Sequence, residues 1–98
     1  MFIQNIPVVK NQPLSITFNE VIEYDSPIAS LEIVYYFNNE ERGRHSSLVE
    51  SSGEITLTID EATVNALVYH RYTYKILAIL DSGATKIPFW GAMVIETT

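Results

Sequence analysis

Apolar and polar residues alternate along several short stretches of the chain, and polar segments separate these stretches. The clearest alternation is at residues 55–59, where three aliphatic residues alternate with two threonines. Because successive side chains of a strand point to opposite faces, this pattern predicts a half-buried β-strand. The same pattern predicts strands over residues 14–18, 31–37, 72–80 and 87–95. Together these stretches predict an all-β chain.

The remaining segments predict the edge and the connections of the fold. Residues 2–9 predict a first strand broken by Pro7, at a sheet edge because proline cannot donate to the ladder. Residues 19–30 show little periodicity and predict a long connection that crosses between sheets. Residues 38–44 predict a loop from their Asn, Gly and charged residues, with a short strand over 45–49 behind it.

Turns and one short helix complete the pattern. Serine, aspartate and glycine predict tight turns at residues 51–53 and 81–83. Asp60 predicts the N-cap of a helix of one or two turns that ends near residue 67. At the start of the next strand, Tyr72 is a candidate to hydrogen-bond back to the preceding loop, and the alternative is a tyrosine that only packs in the core.

The order of these elements predicts one immunoglobulin-like Greek-key β-sandwich of about seven strands with a short helical corner. A chain of 98 residues fits a single domain, which we expect to span residues 1–98. Apolar residues make up 47% of the chain and charged residues 18%, far from the composition of disordered proteins. The chain has no cysteine, so its core forms without disulfides.

Charge and hydropathy narrow the classes of partner. A formal net charge of -6 disfavours contact with the phosphates of nucleic acid, so no nucleic-acid binding is predicted. The longest apolar run, residues 76–80, is far below the roughly 20 residues of a membrane helix. The N-terminal residues lack the basic and apolar regions of an export signal, so we expect no membrane partner and a protein that stays in the cytoplasm or is assembled there into a particle.

No catalytic or metal-binding constellation is visible in the sequence. His45 and His70 lie in different segments, without cysteines or a carboxylate pattern at metal-ligand spacing. The serines near His45 lack the context of a nucleophile, and Glu40-Glu41 and Asp60-Glu61 are typical of solvated surface charges. The sequence therefore predicts no metal, no cofactor and no enzymatic activity.

Four features of the chain carry a resemblance to a known family. They are Pro27-Ile28 before a strand, the strand-forming residues 53–59, residues 67–74, and Gly91 inside the last strand. In this succession the chain resembles the immunoglobulin-like domains of tailed-bacteriophage structural proteins, such as the N-terminal domain of phage baseplate upper proteins. Asn11-Gln12-Pro13 replaces the early glycine of those domains, and no receptor-binding region follows, so the resemblance does not extend to receptor binding.

The resemblance implies a non-enzymatic part of the virion that docks onto other virion proteins. This part of the virion would be either a tail or baseplate adaptor or a head decoration protein, and the sequence leaves the choice open. It further implies a homo-oligomer or a place in a symmetric assembly. Two other functional classes stay open, a carbohydrate-binding module that would stack sugars on Trp90 and tyrosines, and a module that binds a host protein.

Two groups of residues are candidates for the partner interface. The first group is apolar and lies opposite the core-directed residues of its strands, and it consists of Trp90, Tyr36, Val34, Leu77 and Ile79. Large apolar patches of this kind mark interfaces, and the alternative is a second core layer under the connection at residues 19–30.

The second group is basic and consists of Arg42 and Arg44 in the predicted loop. This is the only basic cluster of an acidic chain, and it could bind an acidic groove on a partner. The alternative is a solvated hairpin tip.

Overall fold

The structure is a computed structural model that describes residues 2–3, 5–18, 24–46, 48–51 and 54–96. Its elements are β1 Phe2–Ile3, β2 Ile6–Val9, β3 Leu14–Phe18, β4 Ile28–Phe37, β5 Glu40–His45, β6 Leu48–Ser51, β7 Glu54–Ile59, α1 Glu61–Asn65, β8 Arg71–Leu80 and β9 Thr85–Glu96. The predicted all-β fold with one short helical corner is confirmed.

The strands form two sheets that pack face to face as an immunoglobulin-like sandwich. The larger sheet has the order β1-β9-β8-β4-β5, and β2 also pairs with β9. The smaller sheet has the order β3-β7-β6. Both β1 and β2 run parallel to β9 and follow one another along its free side, so they act as one interrupted edge strand.

The core lies between the two sheets and is built from the inward-facing side chains of their strands. In β8 the burial alternates strictly, with Tyr72, Tyr74 and Ile76 inside and Thr73 and Lys75 outside. This is the central strand that the sequence predicted. The rings of Phe18 in β3 and Phe89 in β9 stack with centroids 4.4 Å apart and join the two layers.

The edge prediction for the first strand is confirmed, but the strand is not broken where it was predicted to be. Pro7 lies inside β2, opposite Val94 of β9, and the strand is interrupted before Ile6. Proline is tolerated there because one side of an edge strand needs no ladder donor. Two other strands begin earlier than predicted, β4 at Ile28 and β9 at Thr85.

The predicted loop at residues 38–44 is wrong. Asn38 and Asn39 alone form the turn, both with positive φ (53° and 63°), and residues 40–45 are strand β5. Two successive positive φ values are typical of the two-residue hairpin turn that matches strand twist, and asparagine adopts them at low cost. Charged residues fit β5 because it is a sheet edge, where charge opposes pairing with other chains.

The predicted strand over residues 45–49 is also wrong. His45 ends β5 in the larger sheet, and Leu48 begins β6 in the smaller sheet. The chain therefore crosses between the sheets at this point. The predicted turn at 51–53 and the first half of the predicted connection at 19–30 lie outside the described residues, except that Ser51 ends β6.

The helical corner forms as predicted. Asp60 is the N-cap of α1, and its Oδ1 accepts the Thr63 backbone N–H at 2.9 Å. Two hydrogen bonds from Thr63 lower the pKa of the Asp60 carboxyl; the one from its side chain has the larger effect and the one from its backbone the smaller. After the helix, the Tyr72 hydroxyl accepts the backbone N–H groups of Val68 (3.1 Å) and Tyr69 (3.2 Å). The prediction that Tyr72 bonds back to the preceding loop is confirmed.

A lysine connects the segment between β2 and β3, which joins the two sheets, to this corner. Lys10 Nζ donates to the carbonyl oxygens of Val64 and Asn65, both at 3.2 Å, and to that of Leu67. The backbone N–H of Asn11 donates to Asn65 Oδ1 at 2.8 Å. These carbonyls lie at and just after the end of α1. That of Val64 also accepts the backbone N–H of Leu67, and the ammonium supplies a donor to all three.

Replacing Lys10 with methionine is expected to lower the free energy of unfolding by about 1 kcal/mol, because the carbonyls of Asn65 and Leu67 lose the ammonium as donor. Urea unfolding measures the effect. Lys86→Met is the matched control, since Lys86 is exposed and makes no such contact. Equal unfolding midpoints for the two variants would contradict this role of Lys10.

Candidate binding face

The larger sheet turns one side away from the core, and we call this side the outer sheet face. It is formed by residues of β4, β8 and β9 that alternate with core residues, namely Val34, Tyr36, Lys75, Leu77, Ile79 and Trp90. The structure therefore brings all five predicted apolar interface residues onto one face.

Strand register fixes how these side chains are arranged. One row crosses the sheet through Arg44, Val34, Lys75 and Trp90, one residue from each of four neighbouring strands. Neighbouring strands lie about 4.8 Å apart, so side chains of one row contact each other. Leu77, opposite Glu32, lies two positions beyond Lys75 along β8.

Val34 differs from the other four because it is fully buried, with 0% exposure. Its neighbours in the row are Arg44 and Lys75, long side chains of the kind that lay their aliphatic stems over apolar residues. Val34 supports the face from beneath, and the prediction that it contacts a partner directly does not fit its burial.

The other four residues are partly exposed and form the apolar surface of the face. Tyr36, Leu77, Ile79 and Trp90 are each neither buried nor fully exposed. Lys75 Nζ lies 5.5 Å from the centroid of the Tyr36 ring, a cation–π distance. The result is a patch in which the Lys75 ammonium lies beside the Tyr36 ring, and Lys75 is the cross-strand neighbour of Trp90.

The opposite outer surface, on the smaller sheet, has a different character. Its outward residues on β3 and β7 are hydroxyl-bearing, with Ser15, Thr17 and Thr58 exposed and Thr56 partly exposed. Thr17 Oγ1 and Thr56 Oγ1 are hydrogen-bonded at 3.0 Å. The outward side chains of β3 and β7 in the smaller sheet are therefore polar, whereas the larger sheet presents aromatic and branched aliphatic side chains.

Arg44 lies at the border of the outer sheet face and is already paired. Its guanidinium contacts Glu32 Oε2 at 3.0 Å and Glu41 Oε1 at 3.1 Å. Hydrogen bonding to Glu41 and its charge, followed by weaker effects of Glu32, raise the pKa of Arg44. Such exposed pairs contribute little to stability but fix the orientation of the side chain.

Arg42 points to the other side of the sheet. A β-bulge between Tyr35 and Tyr36 leaves Arg42 without a partner in the register of β4. Its Cζ lies 5.4 Å from the centroid of Tyr69 and 5.8 Å from that of Phe37, two rings that stack 3.7 Å apart. Arg42 also pairs with Glu40 at 3.3 Å.

The predicted basic cluster of Arg42 and Arg44 is therefore not one cluster. The bulge turns the two guanidinium groups to opposite sides of the sheet, and each contacts a carboxylate of its own chain. The predicted role of these residues in docking stays a prediction, but they cannot act as a single basic tip.

Two basic residues on the outward side of β8 are not paired in this way. Arg71 and Lys75 are exposed and make no ion pair with any residue in the described ranges. They are four positions apart on β8 and so share a face, about 13 Å from each other. In a chain of net charge -6, this face offers cationic groups beside apolar ones.

A cluster of tyrosine and histidine near β5 was not found from the sequence. Tyr35 and His45 share a hydrogen bond of 3.0 Å between the Tyr35 hydroxyl and His45 Nε2, and the Tyr35 ring packs against Gly43. Burial is the main cause that raises the pKa of the Tyr35 hydroxyl. Only the tertiary structure brings these residues together, since the hairpin turn was not located correctly.

Within the part of the chain that is described, no group of three or more metal-binding side chains occurs. No helix there is long and apolar enough to cross a membrane. The most exposed large apolar residue there is Val68, at 79%, in the loop after α1 and away from the outer sheet face.

Comparisons with known proteins identify the fold. No family model matches the chain, and no curated protein is similar to it in sequence. Among solved structures, a fibronectin(III)-like module of Clostridium thermocellum CbhA is 15% identical, with a TM-score of 0.51 over 96% of this chain and 88% of that chain. CopC from Methylosinus trichosporium OB3b is 13% identical, with a TM-score of 0.51 over 95% of this chain and 84% of that one.

A third similar structure is that of murine CRIg, 10% identical, with a TM-score of 0.50 over 96% of this chain and 92% of that one. At these identities the likeness shows the fold alone. The chain is an immunoglobulin-like or fibronectin-III-like β-sandwich, and its function has to be argued from its surface.

Proposed function

We propose that this protein is a non-enzymatic binding module whose outer sheet face docks onto a partner protein. One observation carries the proposal, which is the difference between the two outer surfaces of the sandwich. An antiparallel sheet that faces water on one side is normally polar on that side. Strands β3 and β7 of the smaller sheet follow this rule with hydroxyl groups, whereas the larger sheet presents Tyr36, Leu77, Ile79 and Trp90.

The composition of the outer sheet face is that of an interface core. Tryptophan, tyrosine and arginine are the residues whose truncation costs most in protein interfaces. Trp90 and Tyr36 supply the aromatic area; Lys75 pairs with Trp90 across the strands, and its ammonium lies near the Tyr36 ring. Because β8 and β9 are the most extensively paired strands of the sheet, these side chains are held on a rigid platform.

The partner that we propose is another protein of a tailed-phage virion. The resemblance carried by Pro27-Ile28, residues 53–59 and Gly91 supports this assignment, and an immunoglobulin-like sandwich is compatible with it. The protein would be assembled into the particle in the host cytoplasm, on the head or on the tail. Neither nucleic acid, a membrane nor a cofactor has a part in this function.

The Trp90→Ala variant is expected to weaken binding to the partner by about 30-fold, which corresponds to about 2 kcal/mol for a central aromatic anchor. Its free energy of unfolding should change by less, because Trp90 is only partly buried. Binding is measured with the partner identified by co-purification from phage-infected cells, and stability by thermal unfolding followed by circular dichroism.

Val68→Ala is the matched control, because it removes the most exposed large apolar side chain in the described ranges without touching the outer sheet face. It should bind like the unmodified protein. Normal binding by Trp90→Ala, or loss of binding by Val68→Ala alone, would show that the interface is not on the outer sheet face.

A further inference from the structure

Within the described ranges, strand β3 has a neighbouring strand on one side only. The smaller sheet has the order β3-β7-β6, so β3 pairs with β7 and with no other strand of the described ranges. In such an edge strand, alternate backbone N–H and C=O groups point away from the sheet and can accept another strand. The register with β7 is regular over all five residues, Leu14–Phe18, without a bulge.

The other sheet edges carry features that oppose strand addition. On the larger sheet, β5 is rich in charged residues and contains a bulge, and β2 contains Pro7. On the smaller sheet, β6 includes Glu50. By contrast, β3 has no charged residue, no proline and no bulge. Proteins normally protect an edge by one of these means, so the unprotected β3 edge needs an explanation.

The inward side chains of β3 are incompletely covered. Leu14 and Ile16 point toward the core but remain partly exposed, whereas their partners in β7, Ile59 and Leu57, are buried. The exposure is therefore a property of the edge and not of the sheet. A further strand beside β3 would cover this apolar surface and satisfy the free backbone groups in one step.

We infer that β3 pairs antiparallel with β3 of a second copy of this chain, around a two-fold axis that passes through Ile16. In this register Ile16 faces its own copy, and Leu14 faces Phe18 of the partner subunit. Both pairs are apolar and lie on the core side, where the exposed surface is.

The second copy fits this edge better than an unrelated strand because the segment is complementary to itself. On the water side, Ser15 faces Thr17 of the partner subunit, and two hydroxyl groups at this distance can hydrogen-bond as Thr17 and Thr56 already do. No charge opposes its own copy, although the chain as a whole is acidic. The pairing joins two three-stranded sheets into one of six strands and leaves the outer sheet face free for a partner.

A charge exchange at positions 15 and 17 tests both the pairing and its register. In the Ser15→Asp/Thr17→Asp variant, the two water-side pairs each place two carboxylates opposite one another. In the Ser15→Asp/Thr17→Lys variant, the same pairs each join a carboxylate to an ammonium. Both variants alter the same exposed positions and lose the same Thr17–Thr56 hydrogen bond, so each controls for the stability of the other.

Sedimentation equilibrium of the purified protein at high concentration gives the result. We expect the unmodified chain at twice the 11.1 kDa of one copy, the Asp/Asp variant as a monomer, and the Asp/Lys variant again as a dimer. A monomeric unmodified chain, or equal association of the two variants, would overturn the inference. Trp90→Ala should leave the dimer intact, so loss of partner binding and loss of the dimer are separate results.

Discussion

Replacing Gly43 with alanine is expected to lower the free energy of unfolding by about 3 kcal/mol, at the upper end for overpacking of a well-packed site. A Cβ at this position would lie 2.2 Å from the Tyr35 hydroxyl oxygen and 2.3 Å from its Cζ. Tyr35 cannot easily move away, because its ring is buried, meets the Tyr72 ring edge to face at 5.6 Å, and its hydroxyl is bonded to His45.

A double-mutant cycle shows whether this contact is the cause. The cost of Gly43→Ala should disappear in a Tyr35→Val background, because valine leaves space for the new methyl group. Chemical unfolding followed by circular dichroism gives all four free energies. An unchanged cost in the Tyr35→Val background would assign the role of Gly43 to the backbone and not to the close approach of the ring.

Replacing Tyr72 with phenylalanine is expected to lower the free energy of unfolding by about 2 kcal/mol, because two backbone donors lose their acceptor. The ring of Tyr72 stays packed in this variant, so the loss reports the hydroxyl alone. Without it, the N–H groups of Val68 and Tyr69 have no acceptor and the loop after α1 loosens. Faster amide hydrogen exchange at residues 68 and 69 should accompany the lower stability.

Tyr36→Phe is the matched control for Tyr72→Phe. The Tyr36 side chain is partly exposed on the outer sheet face, and removal of its hydroxyl should change the free energy of unfolding by less than about 0.5 kcal/mol. If the two variants lost equal stability, or if exchange at residues 68 and 69 stayed slow in Tyr72→Phe, the hydroxyl would not hold the loop.

The alternation of apolar and polar residues was sufficient to predict most of the sandwich. β8 shows why, since its inward and outward residues follow the period of two over ten positions. The helical corner was predictable because the Asp60 cap is local, with donor and acceptor three residues apart. Tyr72 was predictable for the same reason, as its hydroxyl binds the loop immediately before it.

The hairpin from β4 to β5 shows where sequence reasoning failed. A charged stretch such as residues 40–44 is typical of a loop, and only its position at a sheet edge makes it a strand. The signal that could have located the turn is Asn38-Asn39, because asparagine is the non-glycine residue that most readily adopts positive φ. The opposite directions of Arg42 and Arg44 depend on the bulge, for which the sequence has no comparable signal.

The sequence predicted the common side of these residues in the sheet but not the exposure of each side chain, and their role in an interface stays a prediction. Alternation places Val34 on the same side as Tyr36, and this is what the structure shows. Its complete burial was not predictable, because its cross-strand neighbours Arg44 and Lys75 are identified only by the register of the sheet. Sequence therefore gives the direction of a side chain, whereas its exposure is a property of the assembled sheet.

Quantitative mass spectrometry of purified particles of the phage whose genome encodes this chain tests the proposed function most directly. We predict that the protein is present at a fixed stoichiometry relative to the major capsid protein. A copy number near that of the capsid protein would indicate a head decoration role, and a small fixed number would indicate a tail or baseplate adaptor. Absence of the protein from intact, infectious particles would contradict the assignment to the virion.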